Sequence, residues 1–402
     1  MESVFGRGTI DTWRDADEDK DSVVALTRDL VRIPSRGGID PYQPVLDCMA
    51  SWLTGHGLAC QQLAGPDGAA VALACEVRGG DRGPRYVLDA CLDTAPFGDE
   101  SAWTYPPTSA EVSDGWLHGR GTADSKAGAA IFAHVAVRLQ ARASQLRGAV
   151  VLLFDVDEHT GRFGGAKAFF EAHGARADGV MIGYPGLDNL VTGGRGILRA
   201  EVRVHGVASH SGGREVTPNA ISKAAALVSA LQAADLPGPG GPDFPLSPRL
   251  TVTAITGGQG YSTVPDVCAV NVDIRLTPTL GKDAALDLLH KTVWSVDANW
   301  PGTRRTAVDV TGHWPAFALP DGSELRGALL GATAVAGLHV TPKIAGPSNI
   351  GNYLAGLGIP ATAGFGVDYV GLHGTDERIR LESVPFVHAT YHHALLTLMN
   401  CD

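Results

Sequence analysis

Positive charge is scarce in this chain of 402 residues, in which 32 Lys and Arg stand against 43 Asp and Glu, for a net charge of −11. Binding to nucleic acid or to an anionic membrane requires clustered basic residues, so we expect neither partner. The sequence also has no apolar run long enough to span a bilayer. Its N-terminus is polar and acidic, without the apolar core of a signal peptide, and we expect a cytoplasmic protein.

Closely spaced cysteines are also missing. The six cysteines are scattered and none forms a CxxC pair: Cys48, Cys60, Cys75, Cys91, Cys268 and Cys401. In a chain of this length, that spacing indicates reduced thiols in a cytoplasm rather than a disulfide framework. Hydrophobic residues make up 44% and charged residues 19% of the chain, which is typical of globular proteins. A chain of this length is longer than those that fold around a single hydrophobic core, so we expect two domains.

The first half of the chain alternates between helix and strand patterns. About 20 N-terminal residues look frayed, and an amphipathic helix then runs from Ser22 until Pro34 stops it. Runs such as AAVALACEV, PRYVLDACLD and GAVVLLFDVDE are apolar at successive positions, as in strands covered on both faces. The long helical pattern SKAGAAIFAHVAVRLQARA separates the second and third of these runs. This order predicts a mixed or parallel sheet flanked by helices.

The pattern changes near Gly196. The segment ILRAEVRVHG alternates apolar and charged residues, which predicts a strand with one wet face, and its first part could pair edge to edge with a second copy. Helices and strands then follow in the order β-α-β-β-α-β. We therefore predict an inserted α+β domain at residues 197–313 within an α/β domain formed by residues 1–196 and 314–402.

Candidate chemical residues follow the predicted strands. Asp93 and the pair Glu158–His159 come after buried strands, Asp124 lies in a glycine-rich turn that opens a helix, and His373 lies in a late loop. Ligands bind where the carboxyl ends of such strands meet. Each residue alone is more often a cap or a surface group, but together they predict a metal and general-base cluster.

Five ordered segments resemble the M20 metallopeptidase family, which includes aminoacylases, acetylornithine deacetylase, succinyl-diaminopimelate desuccinylase and glutamate carboxypeptidases. They are LDTAP, GRGTADSKAG, DEHTGRFGG, VHGVASHSG and LHGTDE. The resemblance covers about residues 22–398. It implies a zinc-exopeptidase-like catalytic α/β domain with an inserted lid that usually dimerises, and thus a homodimer.

The resemblance also implies a role for each matching residue. Asp124 and His373 would be metal ligands, and Glu158 would be the general base that activates water. Asp93 would orient a ligand, and His210 of the lid would stabilise the oxyanion, often across the dimer.

Residues that meet the substrate are implied in the same way. Arg275 stands where family members hold a substrate carboxylate, and Gly346, Ser348 and Asn349 match a substrate-contacting loop. Ser262 replaces an asparagine that many relatives have beside that carboxylate.

Three positions depart from the family pattern, because Cys91, His159 and Tyr184 replace a histidine and two acidic ligands. Asp124, His159 and His373 would still supply two imidazoles and one carboxylate, a set that holds zinc or another divalent first-row metal. A phenol is a reluctant ligand at neutral pH, so we expect one metal per chain. Cys91 is either a thiolate ligand or a small buried residue, and a separate enzyme class would use it as a nucleophile with His373 as base.

These observations predict a metal-dependent hydrolase that cleaves an amide bond in a small N-acyl amino acid or a dipeptide-like molecule. Two alternatives stay open from the sequence. The same pocket could perform acyl transfer, cyclisation or another non-hydrolytic step, or the fold could bind a ligand without any catalysis.

Overall fold

A computed structural model describes residues 7–172 and 174–399 of the chain. Across these ranges, no helix combines the length and the apolar character that crossing a membrane requires. The α-helices are α1 (Arg7–Val31), α2 (Gln43–Gly55), α3 (Ala127–Gln140), α4 (Gly164–Lys167), α5 (Ala220–Gln232), α6 (Lys282–Ala298), α7 (Glu324–Val335), α8 (Ile350–Gly356) and α9 (Val384–Leu398).

The strands alternate with these helices in the first part of the chain and are concentrated in its middle. They are β1 (Cys60–Ala64), β2 (Ala70–Arg78), β3 (Asp81–Cys91), β4 (Val112–Ser113), β5 (Trp116–His118), β6 (Arg147–Asp155), β7 (Gly179–Ile182), β8 (Asn189–Gly194), β9 (Gly196–His205), β10 (Ser209–His210), β11 (Arg249–Gly257), β12 (Thr263–Val264), β13 (Val267–Leu276), β14 (Ala307–Trp314), β15 (Phe317–Ala318), β16 (Thr341–Ala345), β17 (Ala361–Ala363), β18 (Tyr369–Val370) and β19 (Arg378–Arg380).

The chain forms two compact units. The first comprises the residues up to Thr192, Leu319–Lys343 and the residues from Asn349 onward, and the second comprises Gly193–Ala318 with Ile344–Ser348. The first unit contains a six-stranded sheet in the order β1-β2-β6-β3-β7-β17. Strands β6, β3, β7 and β17 run parallel, whereas β1 and β2 pair antiparallel at one edge. The predicted mixed sheet is confirmed.

The centre of this sheet explains its continuous apolar sequence. Residues 150–154 of β6 are fully buried or nearly so, as expected for a strand covered on both faces. Strand β6 pairs with β3 in parallel from Arg85↔Ala149 to Cys91↔Asp155. This register brings the ends of the two strands to the same edge of the sheet.

The first six residues of the predicted frayed N-terminus lie outside the described residues, and the prediction is wrong from residue 7 onward, since α1 begins at Arg7. Its polar residues are not all solvated, because Asp15 and Asp19 pair with Arg138 of α3 at 3.1 and 2.7 Å. Asp19 also accepts from Nε2 of His388 on α9 at 3.1 Å. These acidic side chains dock the helix through partners more than a hundred residues away, so no local pattern could reveal them.

The second unit has the order of elements that the sequence predicts. Its antiparallel sheet runs β11-β13-β9-β14, and α5 and α6 pack against it through an apolar core. Alternate residues of β9, such as Leu198 and Val202, face that core. However, β9 pairs with both β13 and β14, so the predicted pairing of its ILRAEV segment with a second copy is wrong. The edge strands are β11 and β14.

Candidate active site

Three neighbouring parallel strands of the first unit end in polar residues. Cys91 is the last residue of β3 and Asp93 follows it, Glu158 and His159 follow β6, and Tyr184 follows β7. Since β6, β3 and β7 are adjacent and parallel, their carboxyl ends meet at one edge of the sheet. The fold therefore brings these five side chains together.

A buried ion pair holds the turn that carries Asp124. Glu377 accepts the backbone N–H groups of Gly121 and Ala123, each at 3.0 Å, and its other oxygen pairs with Arg120. Both charged side chains are almost completely buried, at 2% and 1% exposure. Sequence reasoning missed this pair, although Glu377 lies within the LHGTDE segment. Its contacts hold the turn that presents Asp124.

Asp124, His159 and His373 form a group suited to a metal ion. One ligand atom from each of the three residues lies within 4.8 Å of the others. The Asp124 Oδ2 atom is 3.0 Å from Nε2 of His373 and 3.6 Å from Nε2 of His159. Two imidazoles and one carboxylate are a common set for zinc with an open position. The chemistry of these donors fits the metal predicted from the sequence.

Asp93 orients the segment that carries two of the predicted site residues. Its carboxylate accepts the backbone N–H of Glu158 at 3.2 Å and that of His159 at 3.0 Å. It also lies 3.5 Å from Nδ1 of His159, and such outer contacts fix ligand orientation. Neither ring nitrogen of buried His159 has a hydrogen-bond partner among the described residues. Burial disfavours the charged imidazole, but Asp124, Asp93 and Cys91 raise the pKa of His159 well above its ordinary value.

Cys91 lies beside the predicted ligand set, since its Sγ and one ligand atom each of Glu158 and His159 lie within 4.8 Å of one another. Its Sγ lies 3.1 Å from Oγ of Ser125 and 3.8 Å from Oδ1 of Asp124. Burial, with the nearby Asp124 carboxylate, raises the pKa of the Cys91 thiol well above its usual range. Nucleophilic attack and metal ligation both require the thiolate. As a neutral thiol Cys91 is a small buried residue, and it would bind a metal there only as the thiolate.

Tyr184 makes a contact that sequence reasoning missed. Its phenol donates a hydrogen bond to Oε1 of Glu158 at 2.6 Å, and burial raises the pKa of Tyr184 well above its ordinary value. Tyr184 is thus a neutral donor in this arrangement. Burial also raises the pKa of Glu158 to about 7, which suits a general base near neutral pH.

His210 belongs to the second unit, on the short strand β10. Its Nδ1 accepts the backbone N–H of Gly212 at 3.0 Å. In the neutral ring, the proton must then be on Nε2. The side chain is therefore prepared to donate a hydrogen bond, as an oxyanion-stabilising group must.

The predicted substrate residues divide between the units. In the second unit, Arg275 and Gly346 line the same cavity, and Gly346 accepts a hydrogen bond from Nε of Arg195 at 3.1 Å. Ser348 donates to the backbone oxygen of Arg195 at 2.7 Å. In the first unit, the Asn349 side chain caps α8. The Ser348 hydroxyl and the Asn349 side-chain oxygen are thus already engaged in structural contacts.

The cavity in the second unit is rich in arginine. It measures about 740 Å³, and Arg195, Arg199, Arg249 and Arg275 are among its lining residues. Arg249 and Arg275 are direct cross-strand partners, an arrangement that places like charges together. Asp273 pairs with both Arg199 and Arg275, and Glu201 supplies a second negative charge to the lining. Four guanidinium groups against two carboxylates leave the cavity suited to an anion.

The chain is similar to a known family and to several known proteins. Residues 87–397 match the model of peptidase family M20/M25/M40. Succinyl-diaminopimelate desuccinylase of Cereibacter sphaeroides is 27% identical over 379 residues, covering 92% of this chain and 96% of that protein. The desuccinylase of Rhodospirillum centenum is 32% identical over 250 residues, covering 60% of this chain and 64% of that protein.

Solved structures share the fold at lower identity. A tripeptidase from Staphylococcus aureus superposes with a TM-score of 0.75 at 19% identity, covering 95% of this chain and 99% of that one. A Bacillus subtilis protein described as a dinuclear metal-binding peptidase from the M20 family superposes with a TM-score of 0.71 at 16% identity. The match covers 96% of this chain and 100% of that one. These likenesses support the fold described above, an α/β domain with an inserted α+β domain.

Proposed function

Because this chain belongs to peptidase family M20/M25/M40 and is a metal-dependent amide hydrolase, we propose that it cleaves the amide bond of a small N-acyl amino acid or a dipeptide-like molecule. The observation that carries the proposal is the position of Glu158. Its backbone N–H is held by Asp93, and its side chain lies 3.4 Å from Nδ1 of His159, next to the predicted ligand set. A carboxylate of raised pKa beside a metal position is the arrangement required of a general base in amide hydrolysis.

In this proposal, Asp124, His159 and His373 hold one divalent cation, with zinc favoured by the two imidazoles. When bound, the cation lowers the pKa of a coordinated water and polarises the amide carbonyl. The Glu158 carboxylate accepts the proton of the attacking water. It then returns that proton to the departing amine nitrogen, so the base ends the reaction ionised again.

The second unit completes the chemistry in our proposal. The Nε2–H of His210 donates to the oxygen of the tetrahedral intermediate, where negative charge develops. His210 comes from a partner copy if the protein is a homodimer of the usual family kind. Arg275 binds the substrate carboxylate through charge-assisted hydrogen bonds.

The excess of arginine in the cavity supports an acidic substrate. After Asp273 neutralises part of the charge of Arg199 and Arg275, Arg249 is still available to an anion. Several relatives are named succinyl-diaminopimelate desuccinylase, a name that specifies an acidic acyl group. We therefore expect N-succinyl and other acidic N-acyl amino acids to be hydrolysed better than N-acetyl derivatives of apolar amino acids.

A substrate panel with one variant tests this function. The purified metal-loaded protein is assayed with N-acyl amino acids and dipeptides, and Glu158→Gln is compared with Glu171→Gln, a change at a glutamate that contacts Tyr353 instead. We expect Glu158→Gln to lower turnover by roughly 10²-fold or more with unchanged metal content. Near-normal turnover of Glu158→Gln, or no hydrolysis of any amide by the metal-loaded native protein, would overturn the proposal.

A further inference from the structure

Two of the cysteines are brought face to face at the edge of the first unit's sheet. Strands β1 and β2 form an antiparallel hairpin whose register pairs Cys60 directly with Cys75. The hairpin is closed by a turn in which Gly65 donates its N–H to the backbone oxygen of Ala69 at 2.8 Å. Fifteen positions therefore separate two thiols that the fold makes neighbours.

The spacing of such a pair suits a disulfide bond. Directly opposed residues of antiparallel strands have Cα atoms about 4.5–5.5 Å apart, and disulfides span Cα distances of about 4.4–6.8 Å. Their side chains also lie on the same face of the sheet. The bond between Cys60 and Cys75 would thus form without moving the backbone.

The two thiols differ in the ways that ordered oxidation requires. Cys75 is buried at 2% exposure, whereas Cys60 is partly exposed at the sheet edge. Interaction with Cys75 lowers the pKa of the Cys60 thiol, and the same interaction, with burial, raises the pKa of Cys75. The exposed thiol is therefore the better source of thiolate, which is the attacking species in disulfide exchange.

We propose that Cys60 and Cys75 form a reversible, redox-controlled modification site that takes a low-molecular-weight disulfide as its oxidant. The Cys60 thiolate attacks one sulfur of the small disulfide, whose S–S bond breaks and releases one small thiol. The Cys75 sulfur then loses its proton and attacks the Cys60 sulfur of the mixed disulfide, releasing a second small thiol. Two protein thiols are oxidised and one small disulfide is reduced to two thiols, so atoms and electrons balance.

The site fits a protein of a reducing compartment, where disulfides are usually transient and redox-sensing. Strand β1 is the edge of the six-stranded sheet and pairs only with β2 within it. A bond at residues 60 and 75 would tie this edge strand covalently to its neighbour. Oxidised protein should therefore unfold at a temperature a few degrees higher than reduced protein, because the disulfide restricts the conformations of the unfolded chain.

Peptide mapping of the intact, metal-loaded protein tests the proposal. The protein is equilibrated with graded ratios of glutathione disulfide to glutathione, alkylated with N-ethylmaleimide and digested with a protease that cuts before aspartate. Trypsin is unsuitable because no Lys or Arg lies between residues 60 and 75, whereas cleavage before Asp47, Asp67 and Asp81 separates the two cysteines. We expect peptides 47–66 and 67–80 to become linked, with one N-ethylmaleimide on Cys48 and a mass otherwise two hydrogens below the sum of the two peptides with free thiols at Cys60 and Cys75.

Two variants identify the attacking thiol. Cys75→Ser should accumulate a glutathione adduct on Cys60, because the second step is blocked. Cys48→Ser is the matched control: Cys48 is a partly buried thiol on α2 whose pKa is raised by burial, and its loss should leave the linked pair unchanged. If Cys75→Ser does not fold, alkylation rates in the native protein replace it, and Cys60 should react several-fold faster than Cys48.

The proposal is overturned if peptides 47–66 and 67–80 stay separate at every oxidising ratio. It is also overturned if fragmentation places the link at Cys48, or if Cys48 reacts faster than Cys60. A linked Cys60–Cys75 pair that reduced glutathione reopens, with the adduct confined to Cys60 in Cys75→Ser, is the supporting result.

Discussion

The phenol of Tyr184 donates a hydrogen bond of 2.6 Å to Oε1 of Glu158. Tyr184 stands at a position where the family pattern has an acidic metal ligand, and the structure gives it a different role. A donor to the ionised carboxylate stabilises the charged form, so Tyr184 opposes the increase that burial causes in the pKa of Glu158.

Tyr184→Phe should therefore raise the pKa of Glu158 further. A larger fraction of the base is then protonated at pH 7, and kcat/KM should fall by roughly three- to tenfold at that pH. The acid limb of the pH profile should move to higher pH while the rate at pH 9 is largely retained. Tyr353→Phe, which removes a hydrogen bond of 2.8 Å to Glu171, serves as the control. An acid limb at the same pH in Tyr184→Phe and native protein would contradict this role.

Metal content should be close to one ion per chain after dialysis against a mild chelator. Two divalent ions bring four positive charges, whereas Asp124 supplies one negative charge and burial raises the pKa of the Cys91 thiol and of the Tyr184 phenol, which favours their neutral forms. Uncompensated cations a few ångströms apart repel strongly. Elemental analysis should show the metal lost in His159→Ala and kept in Cys91→Ala. Two tightly held ions per chain, one of them lost in Cys91→Ala, would show that Cys91 binds metal as a thiolate.

We expect the guanidinium groups of Arg275 and Arg249 each to contribute to the binding of acidic substrates. Removing a guanidinium that binds a carboxylate costs about 1.5–3 kcal/mol, so Arg275→Gln should lower kcat/KM for an N-acyl amino acid by at least about tenfold. The loss should nearly disappear for the corresponding substrate amide, which lacks the carboxylate. Arg203→Gln, a change at an exposed arginine of β9, is the control. Equal losses on the acid and the amide would argue against carboxylate recognition.

The homodimer, which stays a prediction, should depend on strand β11. The second half of β11 is exposed, and its Ile255 is 50% exposed. Ile221 of α5 lies close to the end of this strand and is 39% exposed. A lysine on an edge strand discourages strand pairing, so Ile255→Lys should shift sedimentation at micromolar concentration from dimer to monomer. Val310→Lys is the matched control on the other edge strand, β14, where Val310 is 45% exposed. A native monomer, or a dimer lost only in Val310→Lys, would contradict this interface.

Asp19 should stabilise the first unit in a pH-dependent way. Burial disfavours its charged form, but His388 and Arg138 outweigh burial and lower the pKa of Asp19 well below its ordinary value of about 3.9. A lowered pKa in the folded state gives stability that is present above pH 4 and is lost as pH falls further. Because Asp19 is only partly buried and water screens it, Asp19→Asn should cost about 1–2 kcal/mol at pH 7.

Thermal or denaturant unfolding measures that change. The difference between Asp19→Asn and native protein should shrink progressively as the pH is lowered below 4, because protonation of Asp19 removes the charge that asparagine lacks at every pH. Asp17→Asn, at an exposed position two residues away on α1, should be nearly neutral throughout. A destabilisation by Asp19→Asn that does not change with pH would point to packing rather than charge.

The sequence by itself determined the order of the chemical groups along the chain and the strands that carry them. Continuous apolar runs indicate buried strands. The residues that follow such strands lie close together because neighbouring parallel strands end at the same edge of the sheet. Asp93, Glu158 and His159 could be predicted together on that ground. The alternating segment at β9 was correctly interpreted as a strand with one wet face.

Only the tertiary structure decided which groups touch. The contact of Tyr184 with Glu158 joins the ends of two strands, and Glu377 reaches the Asp124 turn from more than 250 residues away. The docking of α1 likewise depends on Arg138 and His388. Local sequence patterns show which side chains are apolar and how they are spaced along the chain. A buried polar side chain, in contrast, is stable only beside a specific hydrogen-bonding partner. The chain path supplies that partner, and for this reason the hydrogen bonds of the site could not be predicted from the sequence.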